Sequence, residues 1–182
     1  MSDVMGISGR NIRRIAVLGC SGSGKSTLAA ALAERLTLPY LATDQIFWTD
    51  SWRATPASDV RAWLAAAVAQ DDWVTDGNFD SDRDLLWERA ELIVWLDLPL
   101  TVVLARALRR NLVWWLRRTP VWGGQSMTLA KAFGGVRHVL RSHGLKHATY
   151  PAWFACLESK PVVRLRTRAE SAKWLAGLTR SD

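Results

Sequence analysis

The sequence predicts an α/β fold in which a parallel sheet is covered by helices on both faces. Three observations carry this reading. An apolar run at 15–18 ends at Gly19 and opens through a glycine-rich loop into strong helix formers from Thr27 onward. Short apolar runs and helical patterns then alternate along the rest of the chain. A length of 182 residues suits one domain with a substantial core.

Taken in order, residues 1–11 contain no leader-type apolar segment and are expected to form a flexible tail. Residues 15–18 read as the first strand, 27–36 as a helix and 38–42 as a second strand. A helix is expected over 57–70, capped by Thr55 or Ser58. Residues 73–77 read as a third strand ending at Asp76-Gly77, and 82–89 as a short helix. A fourth strand at 92–97 leads through Leu98-Pro99 into a helix from 100 to about 115. Residues 119–126, with Pro120, Gly123 and Gly124, are expected to be a loop. Leu129, Ala132, Phe133, Val136, Val139 and Leu140 mark a helical face. A fifth strand at 161–165 and a closing helix at 169–178 complete the chain. Trp63, Trp87, Trp95, Trp153 and Trp174 fall within these elements and are expected in the core.

The glycine loop fits G-x-x-x-x-G-K-[ST] with Gly19, Gly24, Lys25 and Ser26, in the strand–loop–helix setting that gives the pattern its meaning. A triphosphate needs many donors close to its oxygens. Backbone N–H groups around Ser21, Gly22, Ser23 and Gly24 supply them, since glycine keeps Cβ atoms out of the way. The helix N-terminus adds its free N–H groups and positive dipole end. The expected ligand is Mg²⁺-ATP, with Lys25 on the β- and γ-phosphates, Ser26 ligating Mg²⁺ and Thr27 completing the loop. A dinucleotide fingerprint fits less well, because Thr27 stands where its third glycine belongs.

The net charge of +7 is unevenly distributed. Residues 98–157 contain no Asp or Glu but carry Arg106, Arg109, Arg110, Arg117, Arg118, Lys131, Arg137, Arg141 and Lys146. Such a block suits a polyanion: nucleotide phosphates, nucleic acid or, as a distant third, an acidic membrane surface. No apolar run is long enough to cross a membrane, so no membrane partner is expected. Two cysteines, Cys20 and Cys156, make no disulfide framework, and a reduced cytoplasmic setting is the default expectation.

With these residues in place, the chain resembles the adenylate-kinase-like nucleotide kinases of the P-loop NTPases. The phosphate loop, Asp76-Gly77, and Leu96-Asp97-Leu98-Pro99 followed by Arg106 and Arg110 carry the likeness. More narrowly, Asp44-Gln-Ile-Phe-Trp48, Trp52, 73–79 and Glu88-Arg89-Ala90 resemble bacterial topology modulation proteins, many regarded as adenylate kinases. The resemblance implies a three-layer P-loop fold with a five-stranded parallel sheet of order 2-3-1-4-5. It also implies one kinase-like domain over 1–182, with a basic helical lid at about 110–150. Two features depart from adenylate kinases. Asn78-Phe79 replaces their Phe-Pro-Arg, which leaves Arg83 and Arg89 as candidates for any grip on a monophosphate, and the lid lacks their zinc cysteines.

Roles follow, each beside its plainer alternative. Asp76 is the expected Mg²⁺ ligand through water, or a turn-forming Asp before Gly; Asp97 competes for the role. Asp44 orients or deprotonates an acceptor hydroxyl, or caps a helix. Phe47, Trp48 and Trp52 stack on a planar acceptor, or pack the core. Arg106 and Arg110, spaced i,i+4, stabilise charge on the transferring phosphoryl group, or form a solvated face. Arg137 and Arg141 repeat that spacing as candidate lid residues. Arg168 falls where related kinases hold adenine, or merely opens a helix. His143 and His147 share the i,i+4 spacing, but metal binding is not expected there. The resulting expectation is an ATP-dependent kinase acting on a small acceptor (a nucleoside monophosphate, a nucleoside or a metabolite alcohol) near Asp44, Trp48, Arg83 and Arg137, as a monomer or weak dimer. The alternative is an ATP-binding regulator whose basic block contacts nucleic acid.

Overall fold

The computed structural model describes residues 12–43, 46, 55–118, 120–121, 125–126, 128–157 and 160–178; for 120–121, 125–126 and 129–133 it describes the backbone alone. In chain order the elements are β1 (Arg14–Gly19), α1 (Lys25–Leu36), β2 (Tyr40–Leu41), α2 (Ala57–Val68), β3 (Trp73–Thr75), α3 (Arg83–Arg89) and β4 (Leu92–Leu96). They continue with α4 (Leu100–Leu116), β5 (Pro120–Val121), β6 (Gln125–Ser126), α5 (Leu129–Ala155), β7 (Val162–Leu165) and α6 (Arg168–Ala176).

β1, β3 and β4 are almost wholly buried, which is why they read as continuous apolar runs rather than alternating ones. They form one parallel sheet of order β2-β3-β1-β4-β7, which is the predicted 2-3-1-4-5 once the sheet strands alone are counted. Registers such as Ile15↔Val74 and Val17↔Val94 fix the strands side by side.

The strand period of two sorts the side chains into two cores. Ile15, Val17, Val94 and Leu96 face Leu28 and Leu32 of α1 and Trp174 of α6. Ala16, Leu18, Ile93 and Trp95 face Leu64 of α2, Leu86 and Trp87 of α3, and Tyr150 of α5. Each such aliphatic side chain, fully buried, contributes roughly 1.5–3 kcal/mol. A smaller cluster of Leu98, Val103, Ala107 and Val139 joins α4 to α5. Trp87, Trp95 and Trp174 are core, whereas Trp63 and Trp153 are partly buried against it.

Four boundaries depart from expectation. Residues 119–126 hold the short antiparallel pair β5–β6 rather than a loop alone, because Pro120 tolerates an edge strand. α5 runs unbroken through Gly144 and carries Pro151 inside it, held by the packing of Tyr150, Trp153 and Phe154 on Trp87 and Trp95. α2 starts behind Pro56 without a side-chain cap; Ser58 bonds Asp59 instead, and Thr55 caps nothing. β2 is shorter than expected, at Tyr40–Leu41. The 1–11 tail, Asp44, Phe47, Trp48 and Trp52 lie outside the described residues.

Candidate active site

The phosphate loop lies where β1 leaves the sheet at its C-terminal edge, the usual ligand edge of open α/β sheets. Its turn is closed by the Ser23 N–H donating to the Cys20 carbonyl at 3.1 Å. Gly22 and Gly24 adopt φ of +86° and +96°, conformations that side chains rarely accept. At Gly22 a Cβ would also meet the Val103 carbonyl at 2.6 Å, so the loop is packed directly on α4. Gly24 is the N-cap of α1 and offers no side-chain cap, which leaves the first-turn N–H groups at Lys25, Ser26 and Thr27 without one. Lys25 Nζ donates to the Cys20 carbonyl at 3.3 Å, arching back over the loop. The Ser23 hydroxyl is buried with no hydrogen-bond partner among the described residues. Uncapped helix N–H groups, an arched lysine and an orphaned hydroxyl together fit a bound phosphate chain.

α4 delivers two cations to this loop. Arg106 donates to the Ser23 carbonyl at 3.2 Å and Arg110 to Ser21 Oγ at 2.9 Å. The i,i+4 spacing places both on one helix face, and Arg110 also stacks on Trp114 at 4.7 Å. Arg109 is exposed. Ser26 and Thr27 are exposed in the first turn of α1.

Beside the loop is a cavity of about 220 Å³ lined by Lys25, Thr43, Asp76 and residues 77–82. Asp76 follows β3 and is 3% exposed. One carboxylate oxygen, Oδ1, accepts from the Thr43 N–H at 3.3 Å and from Thr43 Oγ1 at 3.1 Å. Its position on the cavity wall with Lys25 suits a cation bound next to phosphates. Asp97 differs, since Arg164 donates to it through Nε (2.9 Å) and Nη2 (2.6 Å), tying β4 to β7.

The remaining candidates are more scattered. Arg83 donates to the Asp80 carbonyl at 3.0 Å, and its guanidinium lies 4.3 Å from the Trp153 ring centroid. Arg89 ends α3 and is exposed. Arg137 and Arg141 are exposed on α5. Arg168 opens α6 and is exposed, next to a Thr167 cap that accepts from the Glu170 N–H. His143 Nε2 lies 3.0 Å from the Leu98 carbonyl, with its ring stacked on His147.

Three features escape a reading of the sequence. Asn78 Oδ1 accepts the Gly19 N–H at 2.9 Å, linking the β3 loop to the phosphate loop. Asp80, on the cavity wall, is held by Tyr150, whose hydroxyl donates to it at 2.6 Å, and by an ion pair with Lys146. Lys146 also donates to Tyr150 Oη at 3.0 Å. Lys146 is only 6% exposed, so this member of the basic block serves an internal pair rather than a surface field. Burial pushes the Tyr150 hydroxyl well above the usual tyrosine range, with Asp80 adding to the effect. Burial likewise raises the Cys20 thiol, against the opposing pull of Lys146 and Lys25.

No family model matches the chain. It is 28% identical over 169 residues to YqaC, an uncharacterised protein of Bacillus subtilis (strain 168), covering 92% of this chain and 84% of that protein. Among solved structures it is similar to a shikimate kinase from Bacteroides thetaiotaomicron, at 15% identity and TM-score 0.57 over 91% of this chain and 95% of that one. A shikimate kinase from Acinetobacter baumannii in complex with shikimate gives 15% and 0.54, covering 96% and 94%. A gluconokinase from Sinorhizobium meliloti 1021 gives 22% and 0.50, covering 92% and 93%. Among the described residues no helix is long and apolar enough to cross a membrane. With its sheet order and its glycine loop, the chain has the P-loop kinase fold.

Proposed function

We propose that this protein is an ATP-dependent phosphotransferase that moves the γ-phosphoryl group of Mg²⁺-ATP to a small acceptor. The observation that carries the reading is the convergence of Lys25, Arg106 and Arg110 on one glycine loop that borders a cavity. In-line phosphoryl transfer asks a protein for positioning and for cations around the equatorial oxygens, and little else. The acceptor hydroxyl oxygen forms the new bond to the γ-phosphorus. The bond to the β,γ-bridging oxygen breaks, and its electron pair leaves with ADP. The hydroxyl proton passes to a carboxylate, for which Asp44 is the sequence candidate although it lies outside the described residues.

Ser26 and Asp76 would hold Mg²⁺, Asp76 through water. The metal would neutralise charge on the β- and γ-phosphates. Arg137 and Arg168 are assigned to the lid and to the adenine side on resemblance alone, and Trp48 and Arg83 to the acceptor side. The likeness to adenylate-kinase-like and topology modulation proteins supports a nucleotide-kinase type of enzyme. The fold shared with gluconokinase and shikimate kinase structures equally supports a non-nucleotide acceptor.

A second reading draws on the exposed Arg109, Arg117, Arg118, Arg137 and Arg141. An ATP-binding regulator would place these on nucleic acid phosphates. ADP release from Mg²⁺-ATP, measured with wild type and Lys25→Ala across an acceptor panel, separates the two. Acceptor-stimulated release that the variant loses supports the phosphotransferase. ATP binding with no stimulated release, together with a salt-sensitive gel shift, supports the regulator.

A further inference from the structure

The wall of the cavity beside the phosphate loop says what kind of acceptor fits there. Asp80 and Asp82 line it together with Asp76 and Thr43, and Lys25 is its cation among the described residues. The cations that pair with the outer carboxylates are not part of that wall. Lys146 and Tyr150 fix Asp80 from α5, and Arg61 of α2 fixes Asp82 at 2.8 Å. Lys146 and Tyr150 are almost completely buried, so Asp80 cannot swing away without leaving a charge unpaired in the interior. Arg83, the nearest replacement for a monophosphate-binding arginine, stacks on Trp153 and is not on the wall.

Among the described residues the wall thus carries three carboxylates and one lysine, and the cations paired with Asp80 and Asp82 lie outside it. Such a surface matches ligand hydroxyl donors. A phosphate or carboxylate of the acceptor would approach these carboxylates as a like charge, an unfavourable contact that Lys25, already assigned to the nucleotide phosphates, does not offset. We infer that the acceptor is an uncharged, multiply hydroxylated molecule, that Asp80 is a specificity-determining residue accepting one of its hydroxyls, and that phosphate monoesters are rejected. This inference rests on the phosphotransferase reading and narrows its substrate class.

The test uses the full chain with Mg²⁺-ATP and matched acceptor pairs that differ in one charged group: nucleosides and their 5′-monophosphates, sugars and their phosphates, sugars and the corresponding sugar acids. The expected result is that an uncharged member is preferred by about a hundredfold or more in kcat/KM. Equal or better turnover of a phosphorylated or carboxylated partner overturns the inference while leaving the phosphotransferase standing. Residue assignment is tested with the double variant Asp80→Ala/Lys146→Met, which removes the acceptor oxygens and both members of the ion pair and leaves no charge unpaired. In the double variant the acceptor KM should rise about tenfold or more, with KM for ATP within about twofold. An unchanged acceptor KM there overturns the role of Asp80. A protein that binds ATP but turns over no acceptor refutes the phosphotransferase reading itself and this inference with it.

Discussion

The side chain of Asn78 accepts the backbone N–H of Gly19 at 2.9 Å, so the loop after β3 holds the entrance of the phosphate loop in place. Asn78→Ala leaves that N–H without its partner in a partly buried position, at a cost of about 1–3 kcal/mol. The expected outcome is lower unfolding stability and weaker ATP binding together, measured by denaturant titration and by nucleotide titration. Asn78→Asp keeps an acceptor oxygen but adds negative charge next to the phosphates. It should retain most of the stability and still lose ATP affinity. Equal behaviour of the two variants in both assays would argue against this division of labour.

Arg106 and Arg110 reach the same loop from α4 through different atoms, the Ser23 carbonyl and Ser21 Oγ. If they stabilise charge that develops during transfer, Arg106→Ala should cost about 10²–10³ in kcat, with a smaller change in KM for ATP. Arg106→Lys should recover part of the loss. Arg109→Ala, one position away but exposed, should leave turnover unchanged. If Arg106→Ala and Arg109→Ala lower turnover alike, a general field rather than placed contacts is at work.

The parts of this arrangement that the sequence discloses are those written locally. β1, the loop and α1 are contiguous, so Gly19, Gly24, Lys25 and Ser26 announce one another. The spacing of Arg106 and Arg110 states that they share a face, and the buried strands betray themselves as apolar runs. What stays hidden depends on partners far apart in the chain. Asp80 meets Lys146 across 66 residues and Tyr150 across 70, and nothing near either end marks the pairing. Lys146 therefore reads as one more charge in a basic block until burial shows otherwise. Asp97 reads as a rival to Asp76 for the same reason, because Arg164 stands 67 residues away. The continuation of α5 past Gly144 and Pro151 runs against local propensity, which the packing of Tyr150, Trp153 and Phe154 overrides.

The two cysteines should react very differently. Cys20 is 6% exposed and its thiol is raised by burial, so little thiolate forms, whereas Cys156, immediately after α5, is exposed. Reactivity follows thiolate and access together. A chromogenic disulfide reagent should label one thiol per chain rapidly and the second at least about tenfold more slowly, with urea abolishing the difference. On the proposed reading, Mg²⁺-ATP slows the second phase further, because Cys20 lies in the phosphate loop. Two fast, equal thiols in the folded protein would contradict the packing of the loop.

Tyr150 gives a pH dependence whose sign can be worked out. Its hydroxyl is buried, donates to Asp80 at 2.6 Å, and is pushed above the ordinary tyrosine range by burial first and by the Asp80 charge second. The folded state therefore keeps the proton at pH values where the unfolded chain, near its usual value of about 10, has released it. The stabilisation is complete below about pH 10 and is lost as pH rises above it, because the unfolded state then gains by ionising. Denaturant unfolding measured from pH 8 to 11 should show a decline above about pH 10 that Tyr150→Phe makes shallower. The variant should also be less stable at neutral pH by about 1–3 kcal/mol, since Asp80 and Lys146 each lose a hydrogen bond. An absorbance titration of the native protein provides an independent check. Of the two tyrosines, Tyr40 and Tyr150, the second should not ionise until the protein unfolds. Reversible ionisation of both near pH 10, with the fold intact, would remove Tyr150 from the interior network and with it the support that fixes Asp80 on the cavity wall.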